Sequence, residues 1–391
     1  MSAILIDGFE LGGVREEEVT ASAQASLQTS VVATGVYALE HDYTPDNPQA
    51  QYAFTQIVGA NDNFFHFRVR ITALPAVTTE LLTIGSGGNT RRKIQINTSG
   101  NIIITDGANS VTSSTALAIN TWYRIEAECR WTIGDPYDEL KINGSSEGSA
   151  TNLSAGGGGG LNPLTLGDNQ KNETKANCII YIDDFYINSS AGSTNNSWPG
   201  NIKILASIPI GQSPDSGYND FTGSPNNTNK YLNWDEIPHD GDFSYNEGPA
   251  GNPPWEQLST FQSASTVGLA AGDTIVAVAT KVLANLNSTQ TNTGDILVRD
   301  NSTDYTTDIA LNGDSLYHYF RRIDDIAPRG SVWTQAIFNS FQAGAQVASG
   351  QVSGAAHRYT HVSCHIAYTP AVAGGDVVWS KMRPGGFWSP F

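Results

Sequence analysis

Two acidic residues, Glu126 and Glu128, are the first candidates for chemistry in this sequence. They alternate with apolar residues, so both carboxylates lie on one face of a predicted strand. A retaining glycosidase needs two such carboxylates about 5–5.5 Å apart. Arg124 and Arg130 flank the pair on the same face, and ion pairing between neighbouring side chains of a sheet explains these charges without catalysis. We therefore expect no catalytic residues and no enzymatic activity.

Three histidines, His357, His361 and His365, repeat every four residues. On a helix this spacing would gather ligands for zinc. The β-branched and aromatic residues around them favour a strand, on which neighbouring rings share a face but lie about 13 Å apart. We therefore expect no zinc site, and we expect Cys364 to lie buried on the opposite face.

Aromatic residues are frequent in and beside a long stretch, residues 211–254, that is rich in Pro, Gly and Asn. Irregular segments of this length usually serve a function or pack against a partner. Rings in such a segment can stack on sugar faces while polar neighbours bind the hydroxyls. The candidate glycan-binding residues are Tyr231, Trp234, Tyr245 and Trp255. The alternative is that these rings pack the segment onto its own domain or a subunit neighbour.

The elements that carry these residues are mostly strands, because apolar and polar residues alternate in many short segments separated by Gly and Asn turns. One stretch, residues 331–341, has helical spacing. Ser331 is its candidate N-cap, and Trp333, Ile337, Phe338 and Phe341 form the apolar face of one amphipathic helix. The sequence therefore predicts a mainly β fold with one helix.

A segment rich in Ser, Asn and Gly divides the chain. We predict a first domain at residues 1–190, a linker at 191–200, a second β-rich domain at 201–373 and a C-terminal docking tail at 374–391. The tail is too short and irregular to bury its own large rings, so we expect it to dock on a neighbouring surface. The candidate assembly residues are Trp379, Phe387, Trp388 and Phe391.

Four motifs occur in a fixed order in the first half: NTWYRIE at 120–126, ELKING at 139–144, LTLG at 164–167 and YIDDFYI at 181–187. Together they resemble the concanavalin A-like, laminin-G-like jelly roll, which implies a jelly-roll β-sandwich over residues 1–190. Glucanases of that fold place a third acid on the strand that carries the catalytic pair. This sequence has Arg130 at that place, which argues further against catalysis.

Segments of the second half, at 200–205, 231–238, 304–305 and 333–339, extend the resemblance. The whole arrangement is similar to tailed-phage virion proteins in which a laminin-G-like domain precedes a second β-rich domain. This resemblance implies a non-enzymatic structural component of the tail or capsid exterior. Its partners would be other virion proteins and copies of itself. A lectin-like module that contacts host surface polysaccharide is the alternative function.

The same resemblance points to a second group of acids, which consists of Asp7, Glu10, Asp183 and Asp184. The first and last strands of such jelly rolls often pair, which would bring these carboxylates close together. Adjacent carboxylates repel unless a cation or backbone donors satisfy them, and Ca²⁺ takes 6–8 oxygen ligands. A structural Ca²⁺ ion is one prediction for this cluster, and capping of loop amides by the acids is the alternative. We expect no other cofactor.

Composition and charge limit the remaining classes of partner and location. The chain has 391 residues and a formal charge of −17, which disfavours nucleic acid and anionic membranes as partners. No apolar run approaches the roughly 20 residues of a membrane span. Three cysteines allow at most one disulfide. The N-terminus has no basic segment followed by an apolar one, so we expect synthesis in the host cytoplasm without a signal peptide, followed by incorporation into the virion.

Overall fold

Short alternating segments form strands along most of the chain, and the prediction of a mainly β protein is confirmed. The structure is a computed structural model that describes residues 3–10, 19–22, 24–44, 50–54, 60, 62–86, 89–154, 161, 163–168, 176–213, 219–220, 222–224, 229–235, 237, 245–249, 255–287, 292–311, 317–347 and 356–371. The strands of the first half are β1 (Ala3–Asp7), β2 (Val19–Ala21), β3 (Ala25–Gln28), β4 (Ala38–Asp42), β5 (Ala50–Phe54), β6 (Asp62–Ile71), β7 (Thr79–Ser86), β8 (Asn89–Ile96), β9 (Asn101–Thr105), β10 (Ser110–Ala116), β11 (Tyr123–Thr132), β12 (Asp135–Ile142), β13 (Ser145–Ala150), β14 (Leu164–Asp168) and β15 (Ile179–Ser189). The elements of the second half are β16 (Lys203–Ser207), β17 (Pro209–Gln212), β18 (Asn219–Asp220), β19 (Thr222–Ser224), a 3-10 helix (Lys230–Asn233), β20 (Tyr245–Pro249), β21 (Trp255–Phe261), β22 (Thr274–Asn287), β23 (Asn292–Asp300), β24 (Thr303–Leu311), β25 (His318–Asp324), α1 (Gln335–Ser340), β26 (Gln342–Val347) and β27 (Ala356–Thr369).

The predicted helix is present but shorter than its apolar spacing indicates. Its N-cap is Thr334 rather than Ser331, because the Thr334 Oγ1 accepts a hydrogen bond from the Ile337 N at 3.1 Å. Trp333 and Phe341 lie outside the helix and meet edge to face, with ring centroids 5.4 Å apart. In the part of the chain that the structure describes, no helix is long and apolar enough to cross a membrane.

The first half forms a sandwich of two antiparallel sheets. Sheet I has the strand order β13-β12-β11-β6-β15-β4-β3, with β1 also paired to β15, and sheet II has the order β10-β9-β8-β7-β14-β5-β2. Apolar side chains of both sheets enclose one core, in which the ring centroids of Phe54 (sheet II) and Phe185 (sheet I) lie 5.5 Å apart. The predicted β-sandwich is therefore confirmed for this half.

The second half forms another pair of sheets around its own core. Sheet III has the order β19-β20-β27-β22-β25, with β16 also paired to β27. Sheet IV has the order β17-β21-β26-β23-β24, with β18 added in parallel to β21. The buried residues of this core run from Leu205 to Tyr368, whereas those of the first core run from Leu5 to Ile187.

A third buried cluster, here called the domain joint, connects the two sandwiches. Ile6 of β1 packs there with Ile204 of β16 and Ala279 of β22, all of them buried. The Lys281 Nζ lies 3.5 Å from the Asp7 Oδ1, and both side chains are almost completely buried. The joint therefore combines apolar contact with a buried ion pair, so the two sandwiches are held together by more than the chain that links them.

The pairing of β27 with β22 contains an irregularity that decides where the histidines point. Leu283 lies opposite His361, whereas the next residue, Ala284, lies opposite Tyr359. Thr360 is therefore an extra residue, which makes a β-bulge. Because facing residues share a side of the sheet, this bulge reverses the side on which the preceding residues of β27 lie.

The prediction that the three histidines share one face is wrong because of this bulge. His357 lies on the side of the second core, while His361 and His365 lie on the opposite side of sheet III. Cys364 is fully buried against the core, on the side opposite His361 and His365, as predicted for a small apolar side chain. The three cysteines are buried free thiols: Cys129, Cys178 and Cys364.

A carboxyl pair on sheet IV makes one pH-dependent prediction. Burial first, and hydrogen bonding to Asp308 second, raise the pKa of Asp295 from 3.8 to about 6. A raised folded-state pKa means that folding takes up a proton, so this stabilisation is present below about pH 4 and lost as the pH rises through about 6. We expect the urea midpoint of the wild type to fall over this range relative to that of Asp295→Asn. If the urea midpoints of the two proteins changed in parallel with pH, this pH dependence would not come from Asp295.

Candidate functional site

The two predicted candidate acids, Glu126 and Glu128, lie on the outer face of sheet I, the face turned away from the first core. The Glu126 Oε2 is 3.0 Å from the Arg124 Nε, and the Glu128 Oε1 accepts a hydrogen bond from the Arg130 Nη2 at 2.8 Å. Each acid is thus paired with the arginine two residues away. Burial is the largest cause that raises the pKa of each acid, and the arginines oppose it. That the chain has no catalytic activity stays a prediction.

Glu126 is not on the surface, because a segment of the predicted linker covers it. Residues 195–200, here called the strap, lie across this part of sheet I. The Glu126 Oε1 accepts a hydrogen bond from the Gly200 N at 2.8 Å, and its side chain is 2% exposed. The Asn188 Nδ2 donates to the Ser197 O at 2.7 Å, and the Asn195 Nδ2 donates to the Val276 O at 2.8 Å. The strap is therefore fastened to both sandwiches.

The strap holds one large ring, Trp198, above sheet I. The Lys141 Nζ lies 3.5 Å from the centroid of the indole, which is a close cation–π contact. Phe64 of β6 meets the same ring edge to face, with centroids 5.5 Å apart. Lys141 and Phe64 both rise from the sheet beneath the strap, and Trp198 is only half-buried. Part of the indole surface is therefore open to solvent.

A row of polar side chains continues from Lys141 along β12. The Lys141 Nζ is 3.9 Å from the Glu139 Oε1, and the Tyr137 OH donates to the Glu139 Oε2 at 2.8 Å. The Arg130 guanidinium lies over the Tyr137 ring, 5.3 Å from its centroid. We call Trp198, Lys141, Glu139, Tyr137 and Arg130 the ladder. Because Lys141 and Tyr137 are four residues apart on one strand, the ladder is about 13 Å long between them.

The ladder joins residues that the sequence analysis did not single out for binding. Trp198 lies within the predicted linker at 191–200, Lys141 lies within the motif at 139–144, and Tyr137 belongs to no predicted site. The Trp-Pro pair at 198–199 is the sequence signal that could have pointed to this position, because a large ring in a polar segment needs a surface to lie on. That the surface is the outer face of sheet I follows only from the fold.

The second acidic group caps loop amides. The Asp183 Oδ2 accepts hydrogen bonds from the Ala33 N at 2.8 Å and the Thr34 N at 3.0 Å. The Glu10 carboxylate accepts from the Val36 N, with its two oxygens 2.9 and 3.0 Å away. The loop between β3 and β4 is therefore held by two buried acids from other strands and turns.

Asp184 connects the same loop to the second sandwich. Its Oδ1 accepts a hydrogen bond from the Ile204 N at 2.7 Å, and its Oδ2 accepts from the Thr34 Oγ1 at 2.8 Å. The Arg68 Nε lies 3.0 Å from the Asp184 Oδ2. Asp184 has a φ of 52° and lies at an irregularity of β15, where that strand changes its pairing. Asp7 lies in the domain joint instead, against a lysine.

This arrangement corresponds to the amide-capping alternative for the acidic cluster. Burial and the charge of Asp183 raise the pKa of Glu10 well above its usual value, and burial and the charge of Asp184 do the same for Asp183. Among the residues that the structure describes, no group of three or more His, Cys, Asp or Glu side chains is placed to hold a metal ion. The Ca²⁺ site stays a prediction.

The candidate glycan-binding rings of the second half are mostly covered. Trp234 is fully buried in the second core, where its Nε1 donates to the Tyr359 O at 3.0 Å, so the prediction that it offers an exposed ring is wrong. Trp255 packs against the same core. Tyr231 is half-buried in the 3-10 helix, and Tyr245 lies under the Arg358 guanidinium, which is 4.4 Å from the ring centroid. The assembly residues predicted in the tail lie outside the described residues: Trp379, Phe387, Trp388 and Phe391.

Comparison with known proteins finds likeness in structure alone. No family model matches the chain, and no curated protein matches its sequence. Among solved structures it is similar to a sialidase, with 11% identity, a TM-score of 0.37, and coverage of 48% of this chain and 18% of the sialidase. It is similar to the cellulose induced protein Cip1, with 15% identity, a TM-score of 0.37, and coverage of 49% of this chain and 99% of Cip1. For the binding domain of Paraclostridial Mosquitocidal Protein 1 the identity is 12%, the TM-score 0.35, and the coverage 68% of this chain and 79% of that domain.

These three similarities are weak. Because the identities are low and the TM-scores are below 0.5, they carry no argument about activity, ligand or assembly. The class that the fold itself defines is a double β-sandwich protein with an antiparallel first sandwich.

Proposed function

We propose that this protein is a non-catalytic carbohydrate-binding protein. The observation that carries the proposal is the ladder on sheet I, where half-buried rings lie at both ends of a row of charged hydrogen-bonding groups. Aromatic rings offer flat apolar faces to the C–H faces of sugars, and the charged groups between them can bind hydroxyls. The neighbouring acids Glu126 and Glu128 are each ion-paired with arginine, which suits binding better than proton transfer.

Binding to a glycan array tests this function. We expect the whole chain to bind a subset of surface polysaccharides reproducibly, with no release of reducing sugar from those that it binds. Absence of binding across neutral and acidic glycans would overturn the carbohydrate-binding function. Reducing sugar that appears on incubation with the wild type and not with Glu126→Gln would show that the face is catalytic instead.

A structural role in a tailed-phage virion is the second candidate, and the domain joint favours it. A buried ion pair and apolar contacts join the two sandwiches, and such a joint would suit a component of a particle. Its partners would be other virion proteins and further copies of the chain. Mass spectrometry of purified virions tests this role, because a structural component must be present in them at fixed stoichiometry. The two functions are compatible if the particle uses the ladder to contact host polysaccharide.

A further inference from the structure

The strap has an unusual position for a linker between domains. It crosses the outer face of sheet I and is fastened at three places, by Asn188 and Glu126 of the first sandwich and by Val276 of the second. A passive tether needs no such fastening. Asn195, which reaches Val276, has a φ of 53°, a left-handed conformation that asparagine tolerates better than most residues. The strap is therefore held in one conformation by specific contacts.

We propose that the strap supplies the main sugar-stacking platform of a site for a neutral polysaccharide, and that the second sandwich positions it. This inference rests on the proposed carbohydrate-binding function and names the ligand class and the residues. Trp198 is the platform, because Lys141 and Phe64 hold its indole in place while part of the ring surface stays open to solvent. Asn195 is a positioning residue, which acts by fixing the strap to β22.

The charges around the ladder favour a neutral ligand. Two basic side chains and four acidic ones are connected there by contacts of 2.8–3.9 Å. They are Arg130, Lys141, Asp62, Glu128, Asp135 and Glu139. Both bases already have acidic partners, so an anionic sugar would meet more negative than positive charge. The formal charge of −17 for the whole chain adds to this repulsion.

The shape of the ladder favours the interior of a polymer over a chain end. Its two rings, Trp198 and Tyr137, lie at opposite ends of a row about 13 Å long, so one sugar residue does not span them. Two exposed serines of β13, Ser146 and Ser149, border the row through pairing with Lys141 and Glu139. A polymer that runs along β12 would contact one ring, the polar groups and then the other ring.

Affinity electrophoresis of the full chain tests the inference. The gels contain mixed-linkage glucan, galactomannan or dextran as neutral probes, and polygalacturonate as the acidic probe. We expect at least one neutral polymer to retard the wild type, and we expect Trp198→Ala to weaken that binding about tenfold or more, since the stacking surface is lost. Trp198→Phe keeps a ring and should retain most of the retardation.

Two further variants, one of them a control, separate stacking by Trp198 from positioning of the strap by Asn195. Tyr305→Ala is the matched control, because Tyr305 is also a half-buried ring but lies on β24 of the second sandwich and was never a candidate for binding. It should bind as the wild type does. Asn195→Gly keeps the left-handed backbone and removes only the side-chain contact with Val276, so it should weaken binding while the melting temperature stays unchanged.

The outcomes distinguish the inference from the function on which it rests. If neutral gels retard the wild type and Trp198→Ala equally, the platform is elsewhere and only this inference fails. Loss of binding in Tyr305→Ala with retention in Trp198→Ala would place the site in the second sandwich. Retardation by polygalacturonate alone would overturn the neutral ligand while the carbohydrate-binding function stands. No binding in any gel or on the array would remove both.

Discussion

Replacing Asp138 by alanine should lower the free energy of unfolding by about 3–5 kcal/mol, because it leaves a buried guanidinium without its counter-charge. The Arg92 Nε lies 2.7 Å from the Asp138 Oδ2 inside the first sandwich, and neither side chain is exposed. Arg92 also donates to the Arg91 O at 2.8 Å and the Ser154 O at 3.1 Å, so the guanidinium has no way to reach water without disrupting these contacts. Urea denaturation measures the loss.

Two controls separate the uncompensated charge from loss of the side chain. Asp135→Ala removes an acid that is 70% exposed and paired with Arg130, and should cost less than about 1 kcal/mol. The double variant Arg92→Met and Asp138→Leu removes both charges, and its stability should return close to that of the wild type. If the double variant is as unstable as Asp138→Ala, the ion pair is not the cause.

Replacing Asp184 by alanine should have an effect of similar size, about 3–5 kcal/mol, and should separate the unfolding of the two sandwiches. Asp184 accepts hydrogen bonds from Ile204 of the second sandwich and Thr34 of the first, and it pairs with the Arg68 guanidinium. Its loss therefore weakens the connection beside the domain joint and leaves Arg68 without this partner. Calorimetry should show one transition for the wild type and two for Asp184→Ala.

Asp184→Asn is the matched control for this prediction. Asparagine keeps an oxygen that can accept from the Ile204 N and tolerates the φ of 52°, but it removes the charge that faces Arg68. We expect an intermediate loss of stability with a single transition. Two transitions in the wild type itself would mean that the domain joint does not couple the sandwiches, and the joint would then no longer support a role in a virion.

The positions of most strands could be predicted from local sequence. Residues 64–71 and 101–105 alternate or carry β-branched residues between turn signals, and they form β6 and β9. The ends of the helix could not be predicted as well from local sequence. The apolar spacing of Trp333 and Phe341 reflects contact between two rings that flank the helix, not residues within it.

The candidate site could not be predicted to the same degree. The ion pairs of Glu126 and Glu128 with arginine could be predicted from the charges that alternate along one strand, and the structure contains them. For Trp234 the sequence left two alternatives, a glycan-binding ring or a ring packed onto its own domain, and the structure shows the second, because composition does not distinguish a loop that folds onto its own core from one that faces solvent. Trp198 is more than 50 residues from Lys141 in the chain, so no local pattern connects them.

The fold class, and the faces of strands that run without a bulge, follow from the sequence alone, because both depend on the alternation of neighbouring side chains, a short-range property. Which faces are covered, and which residues meet across them, follows from long-range packing alone. The bulge at Thr360 separates the histidines, and the strap buries Glu126 and lays Trp198 over Lys141. These features arise from pairing register and long-range contact, whose free energy depends on residues that are distant in the chain.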